Sequence, residues 1–119
     1  MQTINASIAW AGANIDAFTV FVEPTPSMWA AEPVKPGGGH IYLYQALDAN
    51  RQRTGQLAGV HIVGFLDFNG WSDLPDLPLL WQLPGKEPAP LPDLLRAEQA
   101  RVREEAQQNA LVRTGIGCV

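Results

Sequence analysis

His40 and His61 are the two histidines in a chain of 119 residues, and they are the first places where chemistry could reside. Each lies in a run that alternates between apolar and other residues, "HIYLYQAL" and "QLAGVHIVGFLDF". Strand parity puts His40 on one face with Tyr42 and Tyr44, and His61 with Val63 and Phe65. Two imidazoles converging with a carboxylate, Asp48 or Asp67, would hold a zinc-like ion or a polar ligand. Spacing along the chain neither joins nor separates the two strands. His40, His61 and Asp67 therefore stand as ligand or metal candidates, while no metal and no cofactor are expected.

Other chemistries find less support. No serine stands in a Gly-x-Ser-x-Gly turn and no helix carries His-Glu-x-x-His. "GGGH" (37 to 40) offers backbone N–H groups to an anion, yet no phosphate-binding glycine pattern follows it. Asp73 and Asp76 are three apart, but Pro75 and Pro78 break any helix that would align them for acid–base work. Cys118 is the sole cysteine, one residue from the end, which points to a free thiol on a loose tail and a reducing compartment. No catalytic residue is assigned, and a non-enzymatic protein is expected.

The totals narrow the class further. Net charge is −4, and Lys35 is the one basic residue among the first fifty, so the strand-rich half has no cationic surface to hold phosphates and nucleic acid is not an expected partner. Charged residues make up 17% and hydrophobic ones 46%, which suits a single globular domain. No apolar run reaches the ~20 residues that span a bilayer. The opening "MQTINASIAWAGANID" has neither a basic start nor a compact apolar block. A cytoplasmic protein, not a membrane one, is the expectation.

These residues need elements to position them. "TINASIAW", "FTVFVE", "HIYLYQAL" and "QLAGVHIVGFLDF" read as strands, rich in β-branched and aromatic residues at period two. In the second, Phe18, Val20 and Val22 face away from Thr19 and Phe21. "EPTPSMWAAEPVKPGGG" (23 to 39), with four prolines, reads as a long irregular excursion, and "DANRQRTG" (48 to 55) as a hairpin connection. Gly59 and Gly64 suggest a bulge or a close backbone approach.

Residues 73 to 93, "DLPDLPLLWQLPGKEPAPLPD", hold six of the ten prolines. Each proline fixes its own φ and pushes the preceding residue out of the α region, so the path is extended. Its leucines and Trp81 are too apolar for a free linker, and a strap lying on the sheet or its edge is expected. Trp71, Leu77, Leu79 and Trp81 are its interaction candidates, with core cover as the plainer alternative for the tryptophans. After the strap, "PLPDLLRAEQARVREEAQQNALVR" predicts one helix, with Pro92 and Asp93 in its first turn. Its apolar stripe is strong at Leu91, Leu94 and Leu95 and shallow along Ala97, Ala100, Val102, Ala106 and Ala110. Gly115 is the expected terminator.

Three short stretches carry a resemblance: "IDAFTVFV" (15 to 22), "VKPGGGHIYLY" (34 to 44) and "GQLAGVHI" (55 to 62). Across residues 14 to 66 the chain resembles a family of small bacterial β-rich domains of unknown function. His61 stands where that family usually has a glutamate. Some members are encoded near toxin–antitoxin systems, so the resemblance implies a protein-binding role and no activity.

The fold expected is α+β, with an antiparallel sheet of four or five strands, a Pro/Leu-rich strap and one C-terminal helix. A single domain spans 1–119, divided into sheet (1–70), strap (71–92), helix (93–113) and loose tail (114–119). The function expected is a protein-interaction or assembly module that self-associates, with a homodimer as the favoured form or another protein as the partner. An antitoxin-like partner of a toxin, or a small enzyme or ligand-binding protein with a site near His40 and His61, is the alternative.

Overall fold

The computed structural model describes residues 1–113; the tail with Gly115 and Cys118 lies outside the described residues. Strands run Gln2–Trp10 (β1), Ala17–Val22 (β2), Trp29–Lys35 (β3), Gly38–Leu47 (β4) and Arg53–Val63 (β5). A 3-10 turn at Trp71–Asp73 precedes Leu79–Gln82 (β6) and Ala89–Pro90 (β7), and the helix Leu91–Arg113 (α1) follows at once. Together they make one α+β fold with a single sheet, ordered β3-β4-β5-β2-β1-β6-β7. Among the described residues no helix is long and apolar enough to cross a membrane.

The sheet is larger than four or five strands and is not wholly antiparallel. It has seven strands, and β1 pairs parallel with β6 while the other pairings are antiparallel. Two segments account for the difference. "WAAEPVK" becomes β3 because an edge strand tolerates Pro33, whose missing N–H need not serve a second neighbour; the register slips between Pro33 and Lys35. Within the strap, Pro78 and Pro84 leave Leu79–Leu83 free of proline, and four of those residues pair in parallel as β6 with the open side of β1. The strap thus supplies two strands of the sheet, β6 and the two-residue β7, and the rest of it keeps the irregular path.

Register assigns side chains to two faces. Trp10, Phe18, Ile62 and Ile41 line up across β1, β2, β5 and β4, followed by Ile8, Val20, Val60 and Leu43. With Ala6, Phe65, Phe68, Trp81 and Leu83 these form the core against α1. Phe18 and Phe65 stack at 4.3 Å between ring centres. Phe65 does not share a face with His61, because Gly64 at φ +70° turns the chain as β5 ends. Gly59 has its own reason: a Cβ there would sit 2.6 Å from the Val20 carbonyl oxygen.

The helix buries Leu91, Leu94, Leu95, Glu98, Gln99 and Val102, a stripe at the spacing of one helix face. Ala97 and Ala100, expected on that stripe, are exposed, and two polar residues take the inward positions. Both are satisfied. Gln99 Nε2 donates to the carbonyls of Phe65 and Phe68 at 2.9 and 2.8 Å. Glu98 accepts from Arg101 Nε at 2.6 Å, with Lys86 Nζ at 3.6 Å. Arg103 Nε adds a bond to the Leu66 carbonyl at 2.6 Å, so the helix grips the 65–68 loop by its backbone.

Replacing Gln99 with Ala leaves the buried Phe68 carbonyl without its donor and the Phe65 carbonyl with only the Phe68 N–H, and should cost about 2 kcal/mol in chemical denaturation. A loss under about 0.5 kcal/mol would show that the loop does not depend on this amide. Gly59→Ala should destabilise by about 1–3 kcal/mol through the clash with the Val20 carbonyl, measured the same way.

Candidate functional site: an open aromatic face and an acidic cleft

The second face of the sheet carries Thr3, Asn5 and Ser7 on β1, ordinary polar residues for a solvated surface. Across β2, β5, β4 and β3 the pattern changes. Thr19, His61, Tyr42 and Pro33 form one cross-strand row, and Phe21, Gly59, Tyr44 and Ala31 the next, with Trp29 beside them. Rings touch in sequence: Phe21 meets Trp29 edge-on at 5.4 Å, Trp29 stacks with Tyr44 at 5.7 Å, and Tyr44 stacks with His61 at 5.5 Å. Gly59, lacking a side chain, leaves room between Phe21 and Tyr44, whose centres are 6.0 Å apart. Among the described residues no helix or loop of the core packs on this patch, and Trp29 is 38% exposed.

His61 is held from below. Its Nδ1 and the Thr19 hydroxyl share a 2.7 Å hydrogen bond, and Thr19 itself is buried. Partial burial disfavours the imidazolium and lowers the His61 pKa from its ordinary value. The same cause, desolvation, raises the Tyr44 phenol. Neutral rings are therefore favoured on this face near pH 7.

A separate concavity of about 490 Å³ opens between the β3–β4 hairpin and the 64–73 loop. His40, Asp67, Asn69 and Asp73 line it, with Ile41 and Phe68 supplying apolar wall. His40 Nδ1 donates to the Val63 carbonyl at 3.0 Å, which in the neutral ring leaves Nε2 with a free lone pair. Lys35 and Asp73, both lining residues, pair at 2.8 Å. Asp16 anchors the loop: its Oδ1 accepts from Leu66 N at 2.8 Å and its carbonyl from Gly64 N at 2.8 Å.

The candidates from the sequence thus separate. His40 and Asp67 line the cleft, whereas His61 belongs to the aromatic face, each histidine with its own partner. Asp48 closes the β4–β5 turn, its Oδ1 accepting from the backbone N–H of Asn50 and Gln52. Among the described residues no group of three His, Cys, Asp or Glu side chains is arranged to hold a metal ion. Trp81 is fully buried beside α1, and its indole N–H has no acceptor among the described residues. Leu77 and Leu79 are half-buried against the core. Trp71 is half-buried too, edge-on to Phe68 at 4.9 Å and capped by the Arg96 guanidinium at 4.8 Å.

Phe21 and Trp29 were not among the candidates. A signal existed for Phe21, Tyr42, Tyr44 and His61: each occupies a strand position whose parity calls for a polar side chain. Trp29 gave none, because its segment reads as a proline-broken loop. No family model, curated protein or solved structure matches the chain.

The depressed His61 pKa has a definite sign. The unfolded chain binds a proton at His61 more readily than the folded one, so stability is fully present above pH 6.5 and falls as pH drops through the depressed folded value. Glu23 is also lowered, by hydrogen bonds from Ser7 and Thr25, but its loss begins only below its ordinary value of 4.5. Thermal melts between pH 7.5 and 5 should show a fall in Tm that His61→Gln reduces. Equal slopes in both proteins would place the proton uptake elsewhere.

Proposed function

We propose that the chain is a non-catalytic assembly module whose open aromatic face packs on the same face of a second copy. The observation carrying this reading is the contiguous set Phe21, Trp29, Tyr42, Tyr44 and His61 at positions where a solvated sheet would carry polar side chains. Aromatic residues are enriched, and charged ones depleted, at the centres of protein interfaces. The ring set itself holds no carboxylate, lysine or arginine, and burial favours neutral His61; Glu23, bonded to Ser7 across from Phe21, lies at its rim. Like can therefore meet like without repulsion, as a two-fold contact requires.

Size sets the expected strength. Four strands ~4.8 Å apart and about six residues long offer a face on the order of 20 by 20 Å. That lies at the small end of specific interfaces, so a dissociation constant on the order of micromolar is expected. Pro33 and Lys35 on β3 disfavour continuation of the sheet edge to edge, which leaves face-to-face packing as the favoured geometry.

Solution mass by sedimentation should rise from monomer to dimer across the micromolar range. Trp29→Ser, at an exposed position, should weaken association by at least about tenfold, a hot-spot loss of ~1.4 kcal/mol or more, while far-ultraviolet circular dichroism stays unchanged. A monomer at every concentration overturns the reading, as does a dimer indifferent to Trp29→Ser and Phe21→Ser alike.

A further inference from the structure

We infer that the cleft between the β3–β4 hairpin and the 64–73 loop binds a small organic ammonium, a protonated amine on a compact apolar body. Its volume, about 490 Å³, falls within the range of small-molecule sites. This site stands apart from the aromatic face and does not depend on self-association.

Three features define the ligand. Ile41 and Phe68, each 5% exposed, and Val34 form an apolar wall that calls for a carbon body. The polar groups are mostly acceptors. His40 has Nδ1 committed to the Val63 carbonyl, so in the neutral ring Nε2 accepts, and Asp67 is an exposed carboxylate with no ion-pair or hydrogen-bond partner among the described residues. The one lining cation, Lys35, is engaged by Asp73. Counting histidine as neutral, three lining carboxylates (Asp16, Asp67, Asp73) against Lys35 give −3 + 1 = −2. An ammonium supplies three donors and the opposite charge, whereas an anion would meet carboxylates and a histidine lone pair.

The cleft is also kept open by its glycines. A Cβ on Gly64 would sit 3.3 Å from His40 Nδ1, and one on Gly70 would sit 3.1 Å from the Phe68 ring. Side chains at either position would displace the groups that face the ligand. With Asp16 clamping Leu66 and Gln99 holding the Phe65 and Phe68 carbonyls, the loop wall is tied down on both sides.

The test is a two-dimensional amide NMR titration of the full chain with benzylammonium, benzyl alcohol and benzoate, which share one ring and differ in charge. Benzylammonium should give saturable shifts centred on Gly64 and Asp67–Gly70 and bind about tenfold more tightly than benzyl alcohol, as expected for a charge-assisted contact. Benzoate should leave those amides unmoved. Asp67→Asn should erase the preference for the ammonium, while Asp76→Asn, an exposed acid outside the cleft, should leave it intact. Equal binding of benzylammonium and benzyl alcohol overturns the inference. So do shifts centred on Tyr44 and His61, or equal losses in the Asp67 and Asp76 variants. The probe series on the unaltered protein decides the matter even where a variant folds poorly.

Discussion

A helix is about 10–12 Å across with its side chains, whereas seven strands at ~4.8 Å spacing span nearly 30 Å. One helix cannot cover such a sheet, and much of this structure follows from how the remaining area is handled. On the core face α1 is supplemented by the 64–78 segment, which brings Phe65, Phe68, Trp71 and Leu74 over the sheet. On the other face no core segment among the described residues is supplied. β1 resolves the problem there with Thr3, Asn5 and Ser7, while the neighbouring strands present stacked rings. Apolar surface left in contact with water is unfavourable by roughly 25 cal/mol per Å², and this is the physical ground of the proposed self-association.

The polar residues of α1 show how the cover is held in place. Gln99 bonds to two loop carbonyls that no strand reaches, and Arg103 takes the Leu66 carbonyl between them. A loop covering a core brings buried backbone acceptors with it, and these need donors from somewhere. Here Gln99 supplies them from the stripe that also carries Leu95 and Val102, and Arg103 adds a bond at its exposed margin. The same fixed loop forms one wall of the cleft, so helix docking and cleft shape are linked through a few hydrogen bonds.

The two histidines illustrate how neighbours decide a side chain's chemistry. His61, in mid-strand, is stacked on Tyr44 and bonded to buried Thr19, and desolvation holds its pKa down. His40, at the start of β4, spends one nitrogen on a strand-end carbonyl and turns toward the cleft. Their surroundings give one a packing role and leave the other an open lone pair.

Period-two alternation was enough to locate four strands and to sort Phe18, Val20 and Val22 from Thr19 and Phe21, because a strand's side chains must alternate whatever it pairs with. Proline and leucine content likewise marked residues 73–93 as extended and apolar, and helix propensity marked α1. Beyond the β4–β5 pairing marked by the hairpin at 48–55, pairing partners were not legible. Whether "LLWQ" lies beside β1 or merely across the sheet depends on which edge is free once β2 has taken the other side, and that is a property of the assembled sheet. The edge position that lets Pro33 sit in β3 arises in the same way. The inward turn of Glu98 and Gln99 was hidden for a related reason: their partners are Arg101, Lys86 and carbonyls brought together only by folding. Local sequence set each segment's conformation and the spacing of its side chains. Tertiary structure alone decided which rings meet, which face stays open and which carboxylates share a cleft, because those depend on contacts between residues far apart in the chain.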